Sequence, residues 1–408
     1  MPGASIRRWS PDEHEALAAL AHRAFRFGDG SGWGPYFKDN AHVHGGDVVV
    51  AEVDGERAGT AVSLDLTLTL RGVELPMGGV AAVSVAPEFR RQGVARSMLD
   101  ALLRAMPARG QCVAGLHAVS LAFYRRVGFG LVESVEEVRA RPAHVMAPPG
   151  AAGAVRPMVL ERDLDEVRGC YDRWRRGRSG PLARSEYWWR ERVLRGGVEG
   201  VVLREGDGLT GYALFSIPQD PPYPLQHLRV LELVAETPAA WAALLRWIRA
   251  LDDQYRLVSV DLPAGMSRVL RADHGVPDAP DHWQERDLGA VSITGMMARI
   301  TDLPAAFASQ GRAGPDGSFG LDVTDPVGLC DGAWDVRVSP EGVTAARGSE
   351  SLPRLALPID ALTQVWAGAA RAKSLRDMGF ATGSRDAATR LDDLFTEETF
   401  FLGARNYF

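Results

Sequence analysis

The sequence predicts a mixed α/β chain: two successive domains of alternating strands and helices, then a third of different character. Three observations predict it. The first is Val80–Met106, where Val80, Val83 and Val85 read as a strand that Pro87 ends, and Val94, Met98, Leu102 and Met106 mark the buried face of a helix that Pro107 stops. The second is the same order, strand then helix then strand, at Leu228–Ala235, Trp241–Leu251 and Leu257–Leu262. The third is a pair of breaks in composition. Arg141–Gly153 carries three prolines and no apolar period, and from about Leu288 the chain becomes a meander of short strands. A length of 408 residues agrees with two or three domains.

Taken in order, residues 11–27 carry a helix, with Ser10 as cap, Pro11 at its first position and Leu17, Leu20, Ala21 and Ala24 on one face. The run Phe27–Phe37 mixes four glycines with Phe27, Trp33, Tyr36 and Phe37. It reads either as a loop that folds over a ligand or as one that pins its rings on the core. Val48–Val53 and Gly59–Leu70 form a hairpin around Asp54-Gly55, and Val73–Val85 continues the meander. Cys112–His117 is a strand, Ser120–Val127 a short helix holding Tyr124, and Phe129–Arg139 the last strand of the first domain. Arg141–Gly153 is a linker. In the second domain Leu164–Arg176 and Ser185–Leu194 are helices, and Val198–Arg204 and Leu209–Ile217 are strands around Gly206-Asp207-Gly208. In the third, Ala290–Ile300, Gly320–Val323, Trp334–Val338 and Gly342–Ala346 are strands; Leu303–Ser309, Ile359–Ala367 and Ala387–Leu394 are helices.

Chemistry concentrates at Arg90-Arg91-Gln92-Gly93-Val94-Ala95-Arg96, a basic turn that becomes a helix. The first N–H groups of a helix have no internal partner, and the macrodipole favours negative charge there. Gly93 and Ala95 keep bulk away, so that phosphate oxygens can reach those amides. The bland alternative is an exposed basic corner. In the second domain the equivalent turn is Val234-Ala235-Glu236-Thr237-Pro238-Ala239-Ala240, whose Glu236 repels a pyrophosphate and which has no arginine or glycine. The chain closes on Phe400-Phe401-Leu402-Gly403-Ala404-Arg405-Asn406-Tyr407-Phe408, although chain ends are normally polar and frayed. Either this tail docks on a core, or its carboxylate is held somewhere specific.

Composition excludes several classes. A net charge of −6 without a basic run gives no general attraction to nucleic acid. No apolar stretch reaches membrane-spanning length and no signal-peptide core is present, so no membrane partner and a cytoplasmic location are expected. Cys112, Cys170 and Cys330 lie far apart without metal spacing, which suits a reducing compartment.

Arg90-x-x-Gly93-x-Ala95, preceded by Val83-Ser84-Val85-Ala86-Pro87-Glu88-Phe89-Arg90, resembles the acyl-CoA signature of the GNAT acetyltransferase superfamily. Three further pieces are Phe123-Tyr124-Arg125-Arg126-Val127-Gly128-Phe129-Gly130, Tyr171-Asp172-Arg173-Trp174-Arg175 and the terminal Phe408. With them the chain resembles the enhanced intracellular survival (Eis) family of N-acetyltransferases over essentially its whole length. The resemblance implies an α/β (α+β) fold: a GNAT domain with an acetyl-CoA site over residues 1–142, a degenerate GNAT-like domain without one over 154–287, and a sterol carrier protein-like domain over 288–408. It implies acetyl-CoA as co-substrate and no metal, with contacts at Val83, Ser84, Val85, Arg90, Arg91, Gln92, Gly93, Val94, Ala95, Arg96, Val119 and Ser120. Tyr124 is the implied general acid, the Phe408 carboxylate the general base, and Phe27, Trp33, Tyr36 and Tyr407 are candidates to line the amine pocket. Val119 stands where a small polar residue is common. The implied activity is acetylation of amines on aminoglycoside-like or other polyamine substrates by a homo-hexamer. The alternatives are a protein lysine or N-terminal acetyltransferase, and a non-catalytic CoA- or lipid-binding module.

Those roles make chemical sense. An amine is mostly protonated at neutral pH and must lose a proton before attack, while departing CoA leaves as a thiolate and is helped by a donor. A free α-carboxylate, with a reference pKa of about 3.3–3.7, is a weak base until burial raises it.

Overall fold

β-Branched and apolar runs build three sheets in the computed structural model, which describes residues 4–26, 29–218, 226–271, 290–309, 314–348, 351–395 and 399–408. The chain divides into two units. One is Met1–Val132 with Met296–Glu398 and Phe408; the other is Glu133–Gly295 with Thr399–Tyr407.

The first unit opens with β1 (Ser5–Arg8), α1 (His14–Phe25), α2 (Trp33–Asp39), α3 (Ala41–Gly45), β2 (Asp47–Val53), β3 (Glu56–Leu70) and β4 (Val73–Val85). It continues through α4 (Val94–Ala105), β5 (Val113–His117), α5 (Leu121–Arg125) and β6 (Gly130–Leu131). β1 to β4 are joined antiparallel, and β4 and β5 run parallel. The expected face of α4 is buried, and it packs two ways. Val94, Met98 and Leu102 meet Val49, Ala51, Ala58 and Ala61, while Leu99, Leu103 and Met106 join Val80, Ala114, Leu116, Tyr124 and Phe129. Burying six such side chains is worth roughly 1.5–3 kcal/mol each, which fixes the helix start firmly against the sheet.

The run expected as a loop at Phe27–Phe37 is helical from Trp33, as α2. Pro35 falls in the first turn, where a missing N–H costs nothing. Trp33 stacks on Phe25 with centroids 5.3 Å apart, and Tyr36 and the fully buried Phe37 meet edge to face. Of the two readings, these rings follow the one that pins aromatics on a core. Phe27 lies outside the described residues.

The second unit holds β7 (Ser134–Ala140), β8 (Ala154–Pro157), α6 (Leu160–Arg175), α7 (Glu186–Trp188, continued by a π-helical turn at Trp189–Val193), β9 (Glu199–Glu205), β10 (Gly208–Ser216) and β11 (His227–Ala235). α8 (Pro238–Arg249), β12 (Leu257–Pro263), α9 (Ser267–Leu270) and β13 (Ala290–Thr294) complete it. Its sheet runs β13-β7-β12-β11-β10-β9-β8. The segment expected as a free linker, Arg141–Gly153, is packed instead. Pro142–His144 makes a helical turn, Val145 is buried and bridges to Arg271, and Met146 N–H donates to Leu270 O.

Back in the first unit, β14 (Met296–Ile300) enters the first sheet between β5 and β6, giving the order β1-β2-β3-β4-β5-β14-β6. Two expected strands are therefore broken. Phe129–Arg139 divides into β6 in the first sheet and β7 in the second, and Ala290–Ile300 divides at Gly295, where a side chain would collide with Glu133. The chain changes sheet at Val132–Glu133 and again at Gly295–Met296.

The rest of the first unit is α10 (Leu303–Ala308), β15 (Gly317–Thr324), β16 (Gly332–Ser339), β17 (Gly342–Arg347), β18 (Arg354–Pro358), α11 (Ile359–Trp366), α12 (Ala372–Asp377), β19 (Thr382–Gly383) and α13 (Arg385–Leu394). The third sheet runs β17-β16-β15-β18-β19 over a core with Phe307, Phe319, Trp366 and Phe395. β18 and α12 had no counterpart in the sequence reading. This part clasps the first sheet directly: Thr363 Oγ1 accepts from Ile300 N–H, and Gln364 Nε2 donates to Leu131 O.

Candidate active site

α4 starts at a turn with an unusual backbone. Arg91 has φ 60° and Gly93 φ 84°, two left-handed residues within three positions, a pattern that turns neighbouring N–H groups toward one concavity. A Cβ on Gly93 would meet nothing within 4 Å, so the space ahead of the helix is open and only the backbone conformation demands glycine. As N-cap, Gly93 offers no side chain, so among the described residues no side chain caps the first amides of this 12-residue helix.

This helix start faces a cavity of about 510 Å³ lined by Val85, Phe89, Arg90, Arg91, Gly93, Val94, Ala95 and Arg96 on one side and Phe123, Arg126 and Val127 on the other. The arginines divide their labour. Arg90 Nη2 donates to Ala24 O at 2.8 Å, and Arg96 donates to Arg126 O at 2.8 Å and Pro326 O at 2.7 Å. Among the described residues the exposed Arg91 guanidinium has no such commitment. It remains, with the helix dipole, to meet an anion. Gln92 Nε2 is spent on Glu88 O.

β4 reaches this cavity through a bulge. The register with β3 slips between Thr60 and Val62, leaving Ala82 and Val83 opposite Ala61, and Ala82 takes φ 50°. Ser84, itself buried, braces the bulge by donating its hydroxyl proton to Ala82 O. The ladder between β4 and β5 consists of Met77–Gly79 against Val113–Gly115, so the two parallel strands separate just before the bulge. A V-shaped opening between parallel strands exposes main-chain N–H and C=O groups to an extended ligand.

Tyr124 lies inside this arrangement, buried in one cluster with Val80, Leu116 and Phe129. Burial pushes its phenol up to about 12. Among the described residues its hydroxyl has no hydrogen-bond partner. Such a phenol stays protonated at neutral pH and has a proton to give. Phe408 is placed at the same strand opening. Its ring meets His117 edge to face at 5.4 Å, and a Cβ on Gly79 would lie 3.1 Å from its Cε2. His117, the last residue of β5, was missed by sequence reasoning; a histidine ending a strand just ahead of Ser120 and Tyr124 was the available signal.

Other expected site residues stand apart. Val119 is 83% exposed, and Ser120 accepts weakly from Phe123 N–H as the cap of α5; neither lines the cavity. Val83 is half-buried between two apolar clusters. Trp33 and Tyr36 serve the α1–α2 packing described above. Tyr407 belongs to the second unit, where burial, Glu133 and Asp261 all raise its phenol.

The second unit treats the equivalent helix start differently. Thr237 Oγ1 accepts from Ala240 N–H at 3.0 Å and caps α8, while Arg173 grips the Glu236 carboxylate with contacts from 2.7 Å. The amide that would greet a phosphate is already satisfied. What this unit holds instead is the chain's tail. Leu402 N–H donates to Glu133 Oε1 at 2.7 Å, Trp188 Nε1 to Arg405 O at 3.0 Å, and Arg192 to Tyr407 O at 3.1 Å. Asn406 Oδ1 accepts from Arg184 at 2.8 Å and Tyr171 at 3.2 Å. Burial opposes the charge of Arg184, but Glu232 beside it holds the guanidinium protonated.

Among the described residues no group of three or more His, Cys, Asp or Glu is placed to hold a metal, and no helix is long and apolar enough to cross a membrane. A bulged strand parting from its parallel neighbour, beside an open helix start, defines the acyl-CoA half of a GNAT acetyltransferase. Models of the acetyltransferase (GNAT) domain match residues 5–132 and 180–300, and a sterol carrier protein domain model matches 303–403. The N-acetyltransferase Eis of Mycobacterium tuberculosis (strain ATCC 25177 / H37Ra) is 30% identical over 372 residues, covering 86% of this chain and 87% of that protein. An N-acetyltransferase of Streptomyces avermitilis is 26% identical over 355 residues, 79% of this chain and 78% of that protein. Among solved structures, Eis1 from Mycobacterium abscessus superposes with a TM-score of 0.79 at 22% identity, over 99% of this chain and 100% of that one. This chain belongs to the Eis family of N-acetyltransferases.

Proposed function

We propose that this enzyme transfers the acetyl group of acetyl-CoA to primary amines of small polycationic substrates, aminoglycosides being the leading class. The observation that carries the reading is the open start of α4 over the 510 Å³ cavity, with Tyr124 packed in one cluster with Phe123 and Val127 of its lining. The residues fit the co-substrate: amides at Gly93–Arg96 and the Arg91 guanidinium suit a pyrophosphate, and the parting of β4 from β5 suits its extended arm. Acetyl-CoA supplies the thioester. On the protein's side, the Phe408 carboxylate takes the proton that the attacking amine must lose. Tyr124 gives its proton to the sulfur as the carbon–sulfur bond breaks.

A cationic acceptor is supported by the net charge of −6. The test is thiol release from acetyl-CoA with a panel of aminoglycosides, linear polyamines and a lysine peptide. Turnover confined to the small polycations is the expected result. Turnover confined to the peptide would move the assignment to a protein acetyltransferase, and no release with any amine would refute amine acetylation. In the same preparation, light scattering is expected to give six times the 44.1 kDa chain mass.

A further inference from the structure

We propose that Arg299, clamped by Asp325, is a positioning residue for Tyr124, so that the sterol carrier protein-like part of the first unit sets the geometry of proton donation. This rests on the reading of Tyr124 as the proton donor.

Arg299 lies on β14 opposite Ala114 of β5, and its side chain is fully buried. Nη2 donates to both oxygens of Asp325, at 2.7 and 2.8 Å, and Nη1 donates to the carbonyl of Val127. Val127 belongs to the turn that closes the helix of Tyr124. In that turn Val127 N–H and Phe129 N–H both donate to Tyr124 O, at 2.9 and 3.1 Å, and Gly128 N–H donates to Arg125 O at 2.9 Å. Gly128 takes φ 86°, and the place a side chain would occupy is filled by Arg299 Nη1. The guanidinium is thus built into the bend directly after Tyr124.

Asp325 is fixed in turn. Val327 N–H donates to its Oδ1 at 2.9 Å and Cys330 N–H to its Oδ2 at 2.8 Å, within the loop joining β15 to β16. Burial pushes its carboxyl up, but Arg299 and these amides outweigh that and hold it below the ordinary carboxylate range. A buried ion pair is poor evidence for stability, because well-packed apolar residues often serve as well or better. A planar fork that spans a carboxylate and a backbone carbonyl does supply fixed direction. Among the described residues the aromatic neighbours of the Tyr124 ring are Phe123 and Phe129, edge to face at 5.0 and 6.0 Å, and its hydroxyl makes no hydrogen bond that would fix its direction. Direction must therefore come from the backbone, and the backbone is held by Arg299.

The experiment is a double-mutant cycle on turnover with a fixed amine. Arg299→Met combined with Asp325→Leu removes both charges and leaves neither buried alone. Arg299→Lys is the conservative companion, able to reach one partner but not to fork. Tyr124→Phe is expected to lower kcat by about 10²–10⁴. In the native background the apolar pair is expected to lower kcat at least about tenfold, with the acetyl-CoA Kd within about threefold, and Arg299→Lys to fall between. In the Tyr124→Phe background the apolar pair should cost less than about twofold, because the group it positions has gone. The alkaline limb of kcat in the apolar-pair variant should also move to lower pH, as water reaches a phenol now shielded by burial with no charged neighbour acting on it. Equal losses in both backgrounds, with an unmoved limb, would overturn the inference and leave Arg299 a structural residue. Native turnover in Tyr124→Phe alone would refute the donor reading, and this inference with it. Should the apolar pair not fold, the same cycle run with Arg299→Lys decides by the same criterion.

Discussion

In the mechanism proposed above Phe408 acts through its carboxylate, and mutation can separate that group from the ring. The ring touches His117 and lies beside Gly79, where β4 and β5 part. Phe408→Leu at native length keeps the carboxylate and loses mainly packing, so most activity should remain. A few residues added after Phe408 convert the carboxylate into a neutral peptide carbonyl, and turnover should fall at least about a hundredfold while acetyl-CoA binding stays native. Native turnover in a folded, extended protein would remove the carboxylate from the mechanism. Tyr124 and Phe408 drew attention in the sequence, one through its Tyr-x-x-x-Gly-Phe-Gly setting and the other as an aromatic chain end, and their roles came from the family resemblance. His117 was overlooked although it ends a strand just ahead of Ser120 and Tyr124, and Arg299 could not be read at all. Arg299 meets Val127 from 172 residues away, and no local pattern records such a meeting.

At the scale of elements, α4 and α8 contrast a helix start left open with one that is capped. α4 has a left-handed glycine as N-cap and open space ahead of it; α8 has Thr237 on its own amide and Arg173 on Glu236. Gly93 and Glu236 were legible, because small residues and charges at a helix start are local chemistry, whereas the Thr237 cap and the Arg173 partner came from the structure. Gly93→Asp tests the first. It sets a carboxylate where phosphate oxygens are expected and strains a φ of 84°, so acetyl-CoA affinity measured calorimetrically should fall at least about a hundredfold in a folded protein. Unchanged affinity would assign the cavity to some other ligand. α2 was misread as a loop for an equally local reason. Glycines at alternate positions suggest a flexible run, but stacking of Trp33 on Phe25 and burial of Phe37 override that propensity.

Over the whole molecule, the order of elements was legible and their pairing was not. Periodicity marks a strand but not its sheet, and hydrogen-bond register is a tertiary choice. Hence Phe129–Arg139 read as one strand, although β6 and β7 belong to different sheets. A chain cut after Ala140 would lack β14, leaving the edge of β5 unpaired and Arg299 absent beside Val127. Such a fragment, although it contains the whole acyl-CoA signature, should aggregate and show no cooperative urea transition. A monomeric fragment that binds acetyl-CoA with native affinity would show that β14 is dispensable. The same insertion puts a delay into synthesis. Residues 296–300 leave the ribosome 164 positions or more after Val132, the last residue of the opening segment. At about 5–20 residues per second that interval is roughly 10–30 s. For that time the nascent chain carries a strand edge, Val113–His117, whose mate has not yet been made. Slow codons within that window lengthen the exposure of that edge, and a holding chaperone shields it.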